Sequence, residues 1–323
     1  MKKPIAIIAG EPNSISSEII FKSWKSKSKY KHKPFFIIGS AQLLNSQMKK
    51  LKYNIKIKKI DNNFQMKDLL KKELPVYDIK YYQKKPFENL SSKSNMYILK
   101  CFDLASKLAN KKKIIGFINC PISKEFLFKN KYQGVTDYLS KKENKKNNAV
   151  MLIFSNKLSV SPITKHIAID DVSKKINNLE IINNVKTINN FYKKYFFKKP
   201  NFALLGLNPH NYYSSKKSKS KRNIDKAIKA LKSKKINIKG PIASDTSFMN
   251  FKKYKFDVII GMYHDQVLTP FKALYKFKAI NLTLGLPYIR ISPDHGIGQD
   301  IIGKRIANPD SLVESIKFFN FIK

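Results

Sequence analysis

The sequence predicts an α/β protein, on three observations. Short apolar runs of strand length alternate with amphipathic stretches of helical spacing along the 323 residues. The hydrophobic fraction of 42% is enough for one large or two medium cores. No apolar stretch approaches the roughly 18 residues that span a bilayer.

The elements follow in order. Pro4 to Ala9 reads as a first strand, followed by Gly10-Glu11-Pro12 and a helix from about Ser16 to Ser26. The basic start and apolar run imitate a signal peptide, but the run is short and Glu11 and Pro12 interrupt it, so a cytoplasmic protein is expected. Phe35 to Gly39 is a second strand. Met96, Leu99, Phe102, Leu104 and Leu108 place a helix over Ser92 to Lys111. Ile114 to Ile118 is a strand running into Asn119-Cys120-Pro121. Ala149 to Phe154 and Leu158 to Ile169 read as a strand pair. Val172, Ile176, Leu179, Ile182, Val185, Ile188 and Phe191 mark one long amphipathic helix. Asn201 to Leu207 and Phe256 to Met262 are further strands, and Ser311 to Ile322 is a last helix with Asp310 as N-cap. The low-complexity piece Ser214 to Lys221 reads as a mobile loop.

The formal charge of +42 first suggests nucleic acid. The positive charge, however, is almost all lysine, with arginine only at 222, 290 and 305. Lysine, asparagine and isoleucine spread along the whole chain, as an AT-rich coding bias would leave them. A nucleic-acid surface would use arginine forks with interleaved aromatics. A solvated lysine surface that attracts anionic small molecules is the expectation. Cys101 and Cys120 form neither a disulfide framework nor a zinc ribbon and read as buried small hydrophobes.

Of five histidines, His32 has no assigned role. The other four lie in separate segments: Thr164-Lys165-His166, Asn208-Pro209-His210, Met262-Tyr263-His264 and Asp294-His295-Gly296. His210 and His264 each follow a buried strand, where α/β sheets bind ligands. Three imidazoles converging there, with one position open, would make a catalytic divalent-metal site. Isolated histidines that pack or hydrogen-bond are the competing reading.

"GMYHDQVLTPFKALYKFKAINLTLGLPYIRISPDHG", Gly261 to Gly296, resembles the 4-hydroxythreonine-4-phosphate dehydrogenase family of pyridoxal phosphate biosynthesis. So do "LLGLNPH", "GPIASDTSF", "NCPISK" and the opening "GEP", in order along essentially the whole chain. "HGIGQDIIGKRIANP" also resembles the adenine-side cofactor loop of isopropylmalate and isocitrate dehydrogenases, a fold without the Gly-x-Gly-x-x-Gly fingerprint.

The resemblance implies a two-domain α/β/α sandwich of that dehydrogenase type, with its active site in the interdomain cleft at a homodimer interface. The expected domains are 1–128 plus 300–323, and 129–299 with the metal ligands and dimer contact. It implies a divalent metal, zinc first with magnesium or cobalt as alternatives, on His166, His210 and His264, the last supplied by the other subunit. Substrate contacts fall on Thr136, Lys272, Asn281 and Arg290. Lys272, Asp245 and Asp265 are the proton-carrying candidates. His295, Gly296, Asp300 and Asn308 fall at the NAD+ or NADP+ site. The implied reaction oxidises 4-phosphooxy-L-threonine to a β-keto acid, which loses CO2 to give 3-amino-2-oxopropyl phosphate. No nucleophile is needed, so Cys120 is expected to pack.

Three departures stand out. Ser14 and Ser16 replace glycines of the family pattern, so strain is expected if the backbone there needs positive φ, although serine hydroxyls can cap the next helix. Val135 replaces a substrate-contacting histidine. Asn211 to Arg222 replaces a short Gly/Glu-rich turn. The alternatives are therefore a paralogous dehydrogenase acting on 4-phospho-erythronate or 4-phospho-threonate, and a lysine-rich nucleic-acid binder without catalysis.

Overall fold

The computed structural model describes residues 3–129, 131–132, 134–144, 149–208 and 218–322. The chain divides into two compact units: residues 1–139 with 287–322, and residues 140–286. Following the chain, the first unit contributes β1 (Ile5–Ile8), β2 (Phe35–Gly39), β3 (Ile57–Ile60), β4 (Leu74–Asp78) and β5 (Gly116–Asn119). The second contributes β6 (Val150–Phe154), β7 (Ser159–Pro162), β8 (Phe202–Leu205), β9 (Ile238–Ile242), β10 (Val258–Gly261) and β11 (Ile280–Leu284). The chain then returns to the first unit as β12 (Ile289–Pro293).

In the first unit the strand order is β3-β4-β2-β1-β5-β12, and every pairing is parallel. Parallel strands covered on both faces need apolar residues throughout. Ile5, Ala6, Ile7 and Ile8 of β1 are accordingly all buried. The helix Asn95–Asn110 turns Ile98, Cys101, Phe102, Ala105 and Leu108 inwards. Burial of Phe102 alone contributes about 2–3 kcal/mol. β2 lies on one side of β1 and β5 on the other, so consecutive connections diverge beyond the β1 and β5 ends. In a doubly wound sheet that divergence opens a crevice. Gly10 (φ +77°) lines it so closely that a Cβ there would sit 2.5 Å from the Pro121 carbonyl oxygen.

In the second unit the order is β11-β6-β7-β10-β8-β9. β6 pairs antiparallel with β11 and β7, and β7, β10, β8 and β9 run parallel. Its core includes Ile153, Val160, Leu205, Phe256, Ile259 and Phe271.

The α/β alternation is borne out, with local corrections. The strand expected over Leu158 to Ile169 ends at Pro162, and the chain enters a helix at Ile169. The long helix expected through Val172 to Phe191 is two, Ile169–Lys175 and Asn178–Phe196. Asn177 divides them, because its side chain accepts the Glu180 N–H at 2.8 Å and caps the second. Asp310 opens the last helix as its first residue, and Pro309 takes the N-cap position. The helix Lys219–Ser233, capped by Ser218, begins inside the piece read as a loop, whose residues 214–217 lie outside the described residues. The two units divide the chain at 139/140 and 286/287. The reason at the C-terminal end is that β12 pairs with β5, register Arg290↔Phe117.

Helix ends show a compositional peculiarity. Lys52, Lys112 and Lys235 occupy left-handed positions just past three helices, with φ of 53°, 55° and 58°. The next N–H in each case closes a six-residue return: Tyr53 to Met48, Lys113 to Leu108, and Ile236 to Leu231. Glycine normally fills that position. Among the described residues, no helix is long and apolar enough to cross a membrane.

Candidate active site

Two of the three histidines that the resemblance assigns to a metal come near each other within one chain. β7 and β10 pair in parallel with Pro162 opposite Gly261. The pairing continues past the strands: Ile163 N–H donates to the Gly261 carbonyl, and Thr164 donates its N–H and hydroxyl to that of Met262. Both chains therefore leave the sheet at one level. His166 and His264 end with ring centroids 6.0 Å apart. Imidazoles sharing one cation at ~2.0–2.1 Å per bond stand roughly this far apart. β8 flanks β10 on its other side, register Leu204↔Ile260, and runs on towards Asn208. His210 lies outside the described residues.

His264 Nδ1 is 2.6 Å from Asp265 Oδ1, so the carboxylate accepts from the ring. A carboxylate behind one ring nitrogen fixes the tautomer and turns the other, Nε2, outward as an electron-pair donor. That donor chemistry fits a borderline divalent cation. Gln266 braces the site from below: Oε1 accepts the Met262 N–H at 2.7 Å, and Nε2 donates to the Gly206 carbonyl at 2.8 Å. One amide thus ties the β8 and β10 ends together.

The remaining second-unit candidates are placed separately. Lys272 is an exposed residue on the helix His264–Tyr275. Asp245, exposed in the first turn of the helix Ser244–Asn250, accepts the N–H of Thr246. Asn281 sits on β11 opposite Ile153, and its Oδ1 is buried with no hydrogen-bond partner. An orphaned buried carbonyl in a stable fold calls for a ligand or water donor.

The first unit holds a cationic pole. Arg290 on β12 is 3% exposed, and its Nε donates to Asn119 Oδ1 at 2.7 Å. Asn119, at the end of β5, is itself fixed by donating to the Cys120 carbonyl. Burial pushes the Arg290 guanidinium down to about 9, with Tyr288 acting oppositely, so it is cationic at neutral pH. Thr136 lies in the first turn of the helix Val135–Lys142, whose N-terminus adds partial positive charge. Val135 is 5% exposed and belongs to the core.

The cofactor-loop candidates also lie in the first unit. His295 Nδ1 is 3.1 Å from the Gly296 carbonyl oxygen. Gly296 has open space where a Cβ would be. Asp300 sits exposed in the short turn Gln299–Ile301. Asn308 Oδ1 accepts the Asp310 N–H, and so helps start the last helix.

The family described as pyridoxal phosphate biosynthetic protein PdxA matches residues 31–319. The chain belongs to this family. A relative from Sulfurihydrogenibium sp. (strain YO3AOP1), named 4-hydroxythreonine-4-phosphate dehydrogenase, is 36% identical over 99% of this chain and 98% of its own. One of the same name from Aquifex aeolicus is 32% identical, covering 98% and 97%. The solved 4-hydroxythreonine-4-phosphate dehydrogenase from Klebsiella pneumoniae superposes with a TM-score of 0.87 at 25% identity, covering the whole of both chains. A terephthalate 1,2-cis-dihydrodiol dehydrogenase from Burkholderia xenovorans shares the fold at a TM-score of 0.67 and 18% identity.

Within this PdxA-family chain, the serines at 14 and 16 correct an expectation. Neither residue is at positive φ, so no glycine is required. Ser14 Oγ donates to the Glu11 carbonyl at 2.6 Å and accepts the Ser16 N–H at 3.1 Å. The hydroxyls thereby satisfy groups at the start of the helix Ser16–Lys25. Cys101 and Cys120 are buried, and burial pushes both thiols up, as expected of packing residues. Asn119 and Gln266 were not singled out from the sequence. Asn119 lay inside the quoted "NCPISK" and Gln266 two residues after His264, so motif proximity was the available signal.

Proposed function

We propose that this chain is the NAD(P)-dependent 4-hydroxythreonine-4-phosphate dehydrogenase, oxidising and decarboxylating 4-phosphooxy-L-threonine in pyridoxal phosphate biosynthesis. Family membership along nearly the whole chain supports the reaction. The approach of His166 and His264, with Asp265 behind the latter, is the observation that carries the site.

His166 and His264 would hold a divalent cation, zinc first among candidates, with His210 as third ligand. When bound, the cation supplies Lewis acidity at the substrate alcohol and the nicotinamide supplies hydride acceptance. The chain's own residues do the rest. Arg290, clamped by Asn119, presents a fixed guanidinium to an anionic group of the substrate. Asn281 Oδ1 can accept a substrate N–H or O–H. Lys272 is the proposed proton donor to the carbon left after decarboxylation. His295, Gly296, Asp300 and Asn308 are assigned to the adenine side of the nicotinamide cofactor. A homodimer and a cytoplasmic location belong to the same reading.

The test is NAD+ and NADP+ reduction with 4-phosphooxy-L-threonine, before and after chelation. Activity lost to chelator and regained with metal is expected. Absence of turnover with metal restored would remove the reading. Because Val135 offers only methyl groups, 4-phospho-erythronate and 4-phospho-threonate are run beside it. Turnover of these alone would move the assignment to the paralogous enzyme.

A further inference from the structure

One helix of the first unit carries both ends of the segment assigned to the nicotinamide cofactor. Just before the helix Ser16–Lys25, the Ile15 N–H donates to the Ile297 carbonyl at 3.0 Å. Within the helix, Glu18 and Lys22 hold residues 305–307. Glu18 Oε1 accepts the Ala307 N–H at 2.9 Å. Lys22 Nζ donates to the Arg305 carbonyl at 2.9 Å and to the Ala307 carbonyl at 2.7 Å. The two side chains, one turn apart, also pair with each other at 2.8 Å.

Burying a carboxylate forfeits its hydration, and Glu18 is 1% exposed. Glu18 Oε2 accepts nothing among the described residues, so Oε1 alone takes both the ammonium and the Ala307 N–H. The return on that cost is a fixed backbone. Arg305 stands at φ +65°, in the left-handed region that disfavours side chains. An ammonium donating to the carbonyls on either side of Ile306 offsets their repulsion and keeps this turn closed. Ala307 is itself 1% exposed and leads directly into Asn308, an assigned cofactor residue. Asn308 Oδ1 in turn accepts the Asp310 N–H, so the chain is held on both sides of that position.

We propose that Glu18 and Lys22 are positioning residues for the nicotinamide cofactor, holding the 305–307 turn so that Asn308 is in place to meet it; this rests on the assignment of His295, Gly296, Asp300 and Asn308 to that cofactor. Calorimetry measures NAD+ and NADP+ binding to the full chain, and initial rates give KM for the nucleotide and for 4-phosphooxy-L-threonine. Lys22→Met, at a partly exposed position, removes both carbonyl contacts. It should weaken nucleotide binding and raise the nucleotide KM about tenfold, with kcat and the KM for 4-phosphooxy-L-threonine within about twofold of wild type. Lys22→Arg, whose guanidinium can donate to two carbonyls, should recover most of the loss. Glu18→Gln keeps an acceptor but loses the charge that holds Lys22, and should weaken binding in the same direction. Lys58→Met breaks an ion pair of equal length, 2.8 Å, on the edge strand β3 and should match the wild type. Wild-type nucleotide affinity in both Lys22→Met and Glu18→Gln would overturn the proposal. So would an equal rise in both KM values, or equal losses in Lys22→Met and Lys58→Met, as a merely structural role would give. A wild type that binds neither nucleotide removes the cofactor assignment and the proposal with it. A wild type that binds one, with the variants binding it equally well, removes the proposal alone.

Discussion

Replacing Asn119 with alanine tests whether Arg290 is held or merely buried. The bond at stake is 2.7 Å long, between groups 2% and 3% exposed. A hydrogen bond to a charged group contributes about 1.5–3 kcal/mol, and its loss leaves a buried N–H unsatisfied. Asn119→Ala should therefore cost about 2–3 kcal/mol of stability. If the misplaced guanidinium also grips substrate less well, the same energy appears as a KM rise of roughly 10–100-fold. Asn119→Asp separates the two effects. It keeps an acceptor for Nε, so stability should stay near wild type. The new carboxylate, however, would compete with the substrate anion for the guanidinium, so KM should still rise. Urea unfolding gives the stability, and initial NAD(P)H production against substrate concentration gives KM. An Asn119→Ala protein with unchanged midpoint and KM would refute the clamp. A wild-type KM in Asn119→Asp would refute Arg290 as an anion contact.

Three further expectations are independent of that clamp. Asp265→Asn should weaken metal binding about 10–100-fold by loosening the His264 ring, and His264→Ala should abolish it; competition with a chelating dye reads both. Glu11 is buried, and burial outweighs its bonds from Asn13 N–H and Ser94 in raising its carboxyl above the usual 4.5. The folded state thus holds this proton more tightly than the unfolded chain, so the associated stability is full below 4.5 and is lost as pH rises through the folded value. Glu11→Gln should melt higher than wild type at about pH 8, with the difference vanishing towards pH 4.5; an equal difference at both would discard this account. Gly10→Ala forces a side chain onto φ +77° and 2.5 Å from the Pro121 oxygen, and should cost about 2–4 kcal/mol in equilibrium unfolding. A loss well under 1 kcal/mol would mean the turn relaxes easily.

The fold was legible where periodicity was clean. β1, β2, β5, β8 and β10 are nearly unbroken apolar runs, because parallel strands covered on both faces must be. β3 and β4 carry weak signals for physical reasons: Ile57-Lys58-Lys59-Ile60 of the edge strand β3 is half lysine, as an edge allows, and Leu74-Pro75-Val76 of the internal strand β4 is interrupted by a proline. β12 was visible as a motif but not as a strand of the first unit, since its partner β5 lies 171 residues upstream of Arg290 at Asn119. Candidate residues with unusual chemistry, such as His166 and Arg290, stood out in a lysine-rich chain. Asn119 and Gln266 did not, because an amide's role depends on what it touches rather than on what it is.

The lysines at positions 52, 112 and 235 bear on how much stability this protein has to spare. A side chain in the left-handed region costs about 1–2 kcal/mol, against a total of about 5–15 kcal/mol for a folded domain. Lysine thus stands at three positions where backbone geometry favours glycine. Each such cap draws the fold closer to its unfolding threshold, and heating would expose the narrow margin first. Replacing the three cap lysines with glycine is a route to a hardier protein that leaves every candidate active-site residue untouched.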